Sequence, residues 1–180
     1  MEYVHLPLQS GDDKVLRDMR RVYTVDSYRE IVRQLRETIP GIAISTDIIV
    51  GFPGETEAEF ENTLATMAEL RFDGAFMFAY STRPNTPAGD REDQVPYAEK
   101  MDRLHRLIAL QNAITCEINA TYVGRELEVL VEGPSPKNPE MMQGYSREFK
   151  MVHFPARASR VRSEEHTSEL QSRFGISYAV

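Results

Sequence analysis

Only one of the 180 residues is a cysteine, Cys116. A lone thiol cannot close an internal disulfide, complete a zinc site or hold an iron–sulfur cluster by itself. The chain also has no apolar run approaching the length of a membrane span, and no basic segment leading into an apolar one as in a secretory signal. These absences predict a soluble, cytoplasmic protein with no membrane association. Basic residues are in deficit, 21 against 28 acidic for a net charge of −7. That excludes a wholly basic nucleic-acid coat and leaves only a local patch to be sought.

What is present up to about residue 122 alternates between extended and helical periodicity. Residues 3–9 (YVHLPLQ) read as a buried strand ending in the Ser10-Gly11 turn. Tyr28, Ile31, Val32, Leu35 and Ile39 recur at helical spacing behind Thr24, predicting a helix over 25–38 that stops at Pro40-Gly41. Residues 42–50 (IAISTDIIV) suit a strand covered on both faces, with Asp47 as the odd residue. Beyond Gly51 to Gly54, Thr56 and Glu59 form a capping box for the next helix. Residues 72–80 predict a further strand, 81–96 a polar loop, and 97–121 a long helix with Leu104, Leu107, Ile108, Ile114 and Ile118 on its buried stripe. Cys116, in that helix, reads as a small buried apolar residue. The β-α-β-α-β order predicts parallel α/β architecture, either a doubly wound sheet or part of a barrel. From Gly124 the pattern becomes all-β: 126–133 alternates, 134–139 (PSPKNP) is turn-rich and 151–154 is extended. A small second domain therefore begins near residue 123.

Candidate ligand groups cluster at the carboxyl ends of the predicted strands, where α/β sheets bind ligands. The Gly51–Glu55 loop precedes a helix N-terminus, whose free amides would favour a polar or anionic ligand; the plain alternative is a tight turn that needs glycine. It has neither the lysine of a P-loop nor a dinucleotide fingerprint. Asp47 is either an acceptor for hydroxyl or ammonium groups or one half of a salt bridge to a neighbouring Arg. Gln9 and Ser81 are polar groups at strand ends, or ordinary turn residues. His5 reads as a satisfied core histidine.

The strings HLPLQSG (5–11), MRRVYT (19–24), STDIIVGFPGET (45–56), YSTRPNTPA (80–88), RLHRLIALQNAI (103–114), GPSPKNP (133–139) and VHF (152–154) resemble the radical SAM methylthiotransferases, closest to the tRNA-modifying MiaB type. The resemblance implies the C-terminal part of a radical SAM partial (β/α) barrel over 1–122, followed by an incomplete TRAM RNA-binding domain over 123–161. It implies S-adenosylmethionine as cofactor and two 4Fe-4S clusters in the full-length enzyme, whose cysteines are not among these residues. It also implies tRNA and an electron donor such as a flavodoxin-type protein as partners. Carried over by position, Gln9, Asp47, Gly51, Gly54 and Glu55 are expected to help hold S-adenosylmethionine, with Tyr80 and Ser81 closing on its adenine. Arg21 matches the family's arginine before Tyr23-Thr24, where it could pair with a carboxylate or phosphate; Val22 stands where glycine is frequent. No catalytic or metal-ligating residue is assigned. Residues 162–172 look like the in-frame translation of a sequencing-library adapter, or a charged amphipathic tail, and 162–180 is set aside as non-native.

Residues 133–160 carry five basic side chains against two acidic ones, a local +3 on an acidic chain. Lys137, Arg147 and Lys150, interleaved with Tyr145 and Phe149 and followed by Arg157 and Arg160, suit phosphate contact and base stacking; a solvated loop with core aromatics is the alternative. The resemblance implies either a stretch of an enzyme adding a methylthio group to C2 of N6-isopentenyladenosine in tRNA or the same chemistry on a ribosomal protein side chain; the lack of cluster cysteines leaves a non-catalytic RNA-binding module as the third reading.

Overall fold

The computed structural model describes residues 2–155 and 168–170. By internal packing the chain divides into two units, one of residues 4–40 and 44–116, the other running from Glu117 onward with residues 2–3 and 41–43.

The first unit is built on β1 (Tyr3–His5), α1 (Asp13–Asp18), α2 (Val25–Thr38), β2 (Ala43–Val50), α3 (Glu57–Leu70), β3 (Gly74–Ala79) and α4 (Tyr97–Ala120). Its sheet runs β1-β2-β3, with β2 and β3 parallel from Ser45 opposite Gly74 to Val50 opposite Ala79. Strands in chain order joined by helices are what a barrel wall requires, whereas a doubly wound sheet reverses direction at a switch point. β1 is shorter than predicted for two reasons. Pro7 has no amide, and the Leu8 N–H goes to Thr46 Oγ1 at 2.9 Å instead of a ladder carbonyl. The chain then rejoins β2 through a parallel bridge between Gln9 and Ile48.

Both predicted caps form. Thr24 and Ser27 close a capping box on α2, and Thr56 and Glu59 close one on α3. α1 has no counterpart in the periodicity reading, since six residues are too few to show a period; Asp12 caps it by accepting from the Lys14 and Val15 amides. Ile44, Thr46, Ile48 and Val50 point to the fully buried face of β2, above a core that includes Leu16, Val32, Phe60, Met67 and Leu107. Tyr28 reaches into that layer and donates to Leu6 O at 2.6 Å, and burial pushes its phenol up to about 12.

α4 departs from the predicted stripe. Its buried line is Lys100, Arg103, Leu107, Gln111 and Ile114, while Leu104, Ile108 and Ile118 are only half-buried. Polar residues occupy the inner line because each finds a partner there; Gln111, for example, donates to Phe72 O at 2.9 Å. Cys116 lies off this line and is exposed, not a core residue.

The second unit carries β4 (Leu127–Ser135), β5 (Asn138–Ser146), β6 (Met151–Pro155) and β7 (Ser168–Leu170), in the antiparallel order β6-β5-β4-β7. Val129 and Phe154 form its core, flanked by Leu127, Val131, Met142 and Val152. The segment read as turn-rich is mostly strand: only Pro136 and Lys137 separate β4 from β5. Register shifts between Val131 and Gly133 and between Pro134 and Ser135 absorb the residues that broke the alternation. Of the tail set aside at 162–180, Ser168–Leu170 pairs with β4; its other residues, with Arg157 and Arg160, lie outside the described residues. Among the described residues no helix is long and apolar enough to cross a membrane.

Candidate ligand-binding site

The second face of the small parallel sheet is open. Asp47 and the buried Ser45 alternate onto it from β2, and on β3 Phe76, opposite Asp47, and Phe78, opposite Ile49, are 58% and 53% exposed. His5 joins them from β1. Its Nδ1 lies 2.8 Å from Ser45 Oγ and its Nε2 3.3 Å from Asp47 Oδ1, while its ring meets Phe76 edge-on at 5.7 Å. Asp47 is therefore paired, but with His5 and not with an arginine, and His5 is half-exposed where a core histidine was expected. The Asp47 carboxylate keeps 28% of its side chain accessible and so retains capacity to accept from a ligand.

Gln9 sits where β1 rejoins the sheet. It is 6% exposed and takes a left-handed φ of +71°, a conformation that strains a residue with a Cβ. Its backbone is fixed by N–H donation to Asp47 O and by the Ile49 N–H donating to Gln9 O. Its side-chain amide makes no hydrogen bond to a described residue.

The Gly51–Glu55 loop corrects an expectation. Its amides are spent inside the protein: Gly51 N–H donates to Glu55 Oε2 at 2.6 Å, Gly54 N–H to Asp93 O and Glu55 N–H to Phe52 O, both at 2.9 Å. Gly51 and Gly54 have φ of +71° and +75°, and a Cβ at either would collide, at Gly51 with the Lys100 stem and at Gly54 with the paired Arg91 and Asp93. Glu55, expected at the ligand, is sealed beneath the loop with its side chain wholly buried, and Arg103 NH1 donates to Oε2 at 2.8 Å. Burial raises its carboxyl above the usual range, opposed by the Gly51 amide and the Arg103 guanidinium. Gly51, Gly54 and Glu55 thus form a rigid bracket and offer no free donors to a ligand.

Two α4 cations behind this bracket escaped the sequence reading, because nothing in a helical pattern distinguishes a buried Lys or Arg from a solvated one. Arg103 is 1% exposed and also bonds Glu55 O, Glu57 and Glu99. Lys100, 7% exposed, places Nζ 3.3 Å from Tyr80 O and 5.1 Å from the Tyr80 ring. Burial lowers its pKa. A depressed lysine leaves the folded state with fewer bound protons than the unfolded one between the folded value and 10.5, so stability rises with pH across that window. Lys100→Met should therefore flatten the alkaline rise in urea midpoint between pH 7 and 10 relative to the parent; parallel curves would show that the ammonium is not desolvated.

By holding the Tyr80 carbonyl, Lys100 shapes a groove of about 570 Å³ at the carboxyl ends of β2 and β3, lined by Ile49, Phe78, Tyr80, Ser81, Arg83 and Thr86 among others. Tyr80 and Ser81 therefore line a cavity, and Arg83 and Thr86 join them from the following loop. Arg21 is exposed between α1 and α2, with its N–H on Leu16 O and no ion-pair partner among the described residues.

In the second unit the expected basic patch is not contiguous. Lys137 sits in the β4–β5 turn, while Arg147 and Lys150 lie past the far end of β5, a nine-residue strand that spans roughly 27–30 Å. Arg147 is bonded to Glu128 and lies 3.9 Å from Glu2, and the Lys150 ammonium lies 5.7 Å from the Tyr122 ring centre. Phe149 is stacked between Tyr3 and Tyr145 at 4.6 and 4.4 Å.

Among the described residues no three His, Cys, Asp or Glu side chains are grouped to hold a metal. With Cys116 alone on a helix surface, the residues of this chain do not fit an iron–sulfur cluster.

Comparison with known proteins agrees with this architecture. Residues 1–67 match the family model of the Radical SAM superfamily. The chain is 51% identical over 154 residues to a tRNA-2-methylthio-N(6)-dimethylallyladenosine synthase of Moorella thermoacetica, covering 86% of this chain and 35% of that protein. Synthases of the same name from Anoxybacillus flavithermus (50% over 154 residues; 86% and 29%) and Acetivibrio thermocellus (49% over 158 residues; 88% and 33%) are similarly close. The chain thus spans about a third of the length of the curated relatives it matches. Among solved structures, coproporphyrinogen III oxidase (HemN) from Escherichia coli, a radical SAM enzyme, superposes with a TM-score of 0.56 at 16% identity over 83% of this chain and 42% of that one. This likeness concerns the fold alone. With a sequential parallel sheet, a Radical SAM superfamily match over residues 1–67 and about half of the aligned residues identical, the chain is similar over most of its length to one stretch of those synthases.

Proposed function

We propose that this chain is the stretch of a tRNA methylthiotransferase that lines one side of its cofactor and substrate chamber, in a protein that adds a methylthio group to C2 of N6-isopentenyladenosine beside the anticodon. The observation that carries the reading is the chemistry of the open sheet face and its adjoining groove, set on a chain half identical to synthases of that name. The residues fit S-adenosylmethionine: Gln9 offers a buried amide with no partner among the described residues, Asp47 offers a half-exposed carboxylate, and the Tyr80–Ser81 backbone at the strand end offers polar groups to an adenine. When bound, that cofactor supplies both the hydrogen-abstracting radical and a methyl group. Asp47, steadied by His5, accepts from ribose hydroxyls or the ammonium group, and Gln9 supplies the complementary amide. The Tyr80–Ser81 backbone, fixed by Lys100, closes on the adenine. We assign the two 4Fe-4S clusters and the flavodoxin-type reductant to the longer protein. Residues 123–161 are read as an incomplete TRAM domain whose Lys137, Arg147 and Lys150 meet tRNA as separate contacts, and Arg21 as a further phosphate or carboxylate partner.

The test is a chimera in which residues 1–155 replace the matching stretch of the Moorella relative. The chimera should form the 2-methylthio product on isopentenylated tRNA by mass spectrometry. Asp47→Ala in it should weaken S-adenosylmethionine binding by about 1.5–3 kcal/mol, the value of a hydrogen bond to a charged acceptor. A folded chimera with its clusters in place but no product would refute the reading.

A further inference from the structure

The loop that follows β3 is closed on itself. Thr86 Oγ1 donates to Arg83 O at 2.8 Å and accepts from Gly89 N–H at 3.1 Å, and the Asp90 N–H reaches Thr86 O at 3.1 Å. Gln94 Nε2 ties Ala88 O and Arg91 O at 2.8 and 3.1 Å. Asn85 takes a left-handed φ of +60°, and a Cβ at Gly89 would strike the Arg83 carbonyl. The backbone carrying Arg83 is thus held from several directions.

Its side chain is not. The exposed Arg83 guanidinium makes no hydrogen bond or ion pair with any described residue, whereas Arg91 of the same loop is paired with both Asp18 and Asp93. A constrained loop therefore delivers one unneutralised planar cation to the wall of a groove whose other wall carries Phe78, 53% exposed, and Tyr80. Aromatic rings accept the face of any base, and a guanidinium matches a phosphate with two parallel donors.

We propose that this groove takes one nucleotide unit of single-stranded RNA, with its base against Phe78 and Tyr80 and its phosphate on Arg83. The assignment rests on the tRNA reading above and deepens it by naming the contact made. Charge complementarity selects the occupant: the groove wall presents a cation with no counter-ion among the described residues, and each RNA nucleotide brings one negative charge beside one stacking surface. S-adenosylmethionine is the competing source of an anion, through its carboxylate.

The experiment uses the full 180-residue chain with fluorescein-labelled hexa-adenylate as probe, followed by anisotropy, with S-adenosylhomocysteine titrated in parallel. Arg83→Ala should weaken hexa-adenylate binding about tenfold or more and flatten the slope of log affinity against log salt by about 0.7. Arg83→Lys should restore part of the affinity. Melting temperature should stay unchanged, since the side chain is exposed, and ultraviolet cross-links should map to residues 76–88. The proposal is overturned if the parent chain does not bind hexa-adenylate, if Arg83→Ala binds it equally well, or if cross-links fall only outside residues 76–88. It is also overturned if Arg83→Ala weakens S-adenosylhomocysteine but not the oligonucleotide. An active chimera whose tRNA affinity ignores Arg83→Ala sinks this assignment alone, whereas an inactive chimera sinks the reading on which it rests.

Discussion

Arg103→Ala should destabilise the first unit by about 3–5 kcal/mol in urea denaturation, because it strands the Glu55 carboxylate in a site with no solvent access. The guanidinium is also the common partner of Glu57 and Glu99, but those carboxylates reach water and lose little when it goes. The deficit therefore belongs to Glu55. Burial already raises that carboxyl, and removing Arg103 takes away one of the two influences that hold it down. A carboxyl raised in the folded state binds protons there that the unfolded chain has released, so folding is favoured as pH falls from above its folded value toward 4.5. The gap between Arg103→Ala and the parent should accordingly narrow between pH 7.5 and 5. The double variant Arg103→Met with Glu55→Gln should regain most of the loss at neutral pH. If the double variant is as unstable as the single one, the orphaned charge is not the cause.

Phe154→Ala should produce a comparable loss, about 3–5 kcal/mol, in a part of the chain far less able to bear it. Among the described residues, the hydrophobic cluster of this sheet consists of the buried Val129 and Phe154 with four half-buried neighbours around them. A sheet with so small a core has little stability to lose. Amide exchange in β4, β5 and β6 should become fast while the amides of β2 stay protected. Uniform loss of protection in β2 and β5 together would show that the two units unfold as one, and unchanged protection in β5 would show that Phe154 carries little of the sheet's stability.

The regular elements of the first unit were legible because each left a local mark. Thr24 and Thr56 announce their helices by capping chemistry, and the β-branched run of 42–50 announces a covered strand. α1 left no mark, being shorter than two turns. The site was legible only in part. Position along a strand placed Gln9, Asp47 and Ser81 towards the carboxyl side of the sheet, and the resemblance added Tyr80, but the fate of the Gly51–Glu55 amides depended on Glu55 folding back on Gly51 and on Asp93, which is 39 residues beyond Gly54. Lys100 and Arg103 looked like solvated helix residues, because burial of a charge is decided by partners distant in sequence. The basic patch failed for a geometric reason: residues summed along the sequence were divided between the two ends of a hairpin.

The open sheet face has a further bearing on handling. Phe76 and Phe78 project side by side from β3, which has a strand neighbour on only one edge among the described residues. Wetted rings beside an unpaired backbone ladder are the pairing surface through which β proteins associate edge to edge. The net charge of −7 opposes that association only as long as salt does not screen it. The free edge of β3 is thus a route to self-association, and the shelf life of the chain in solution should fall as ionic strength rises even where its melting temperature does not.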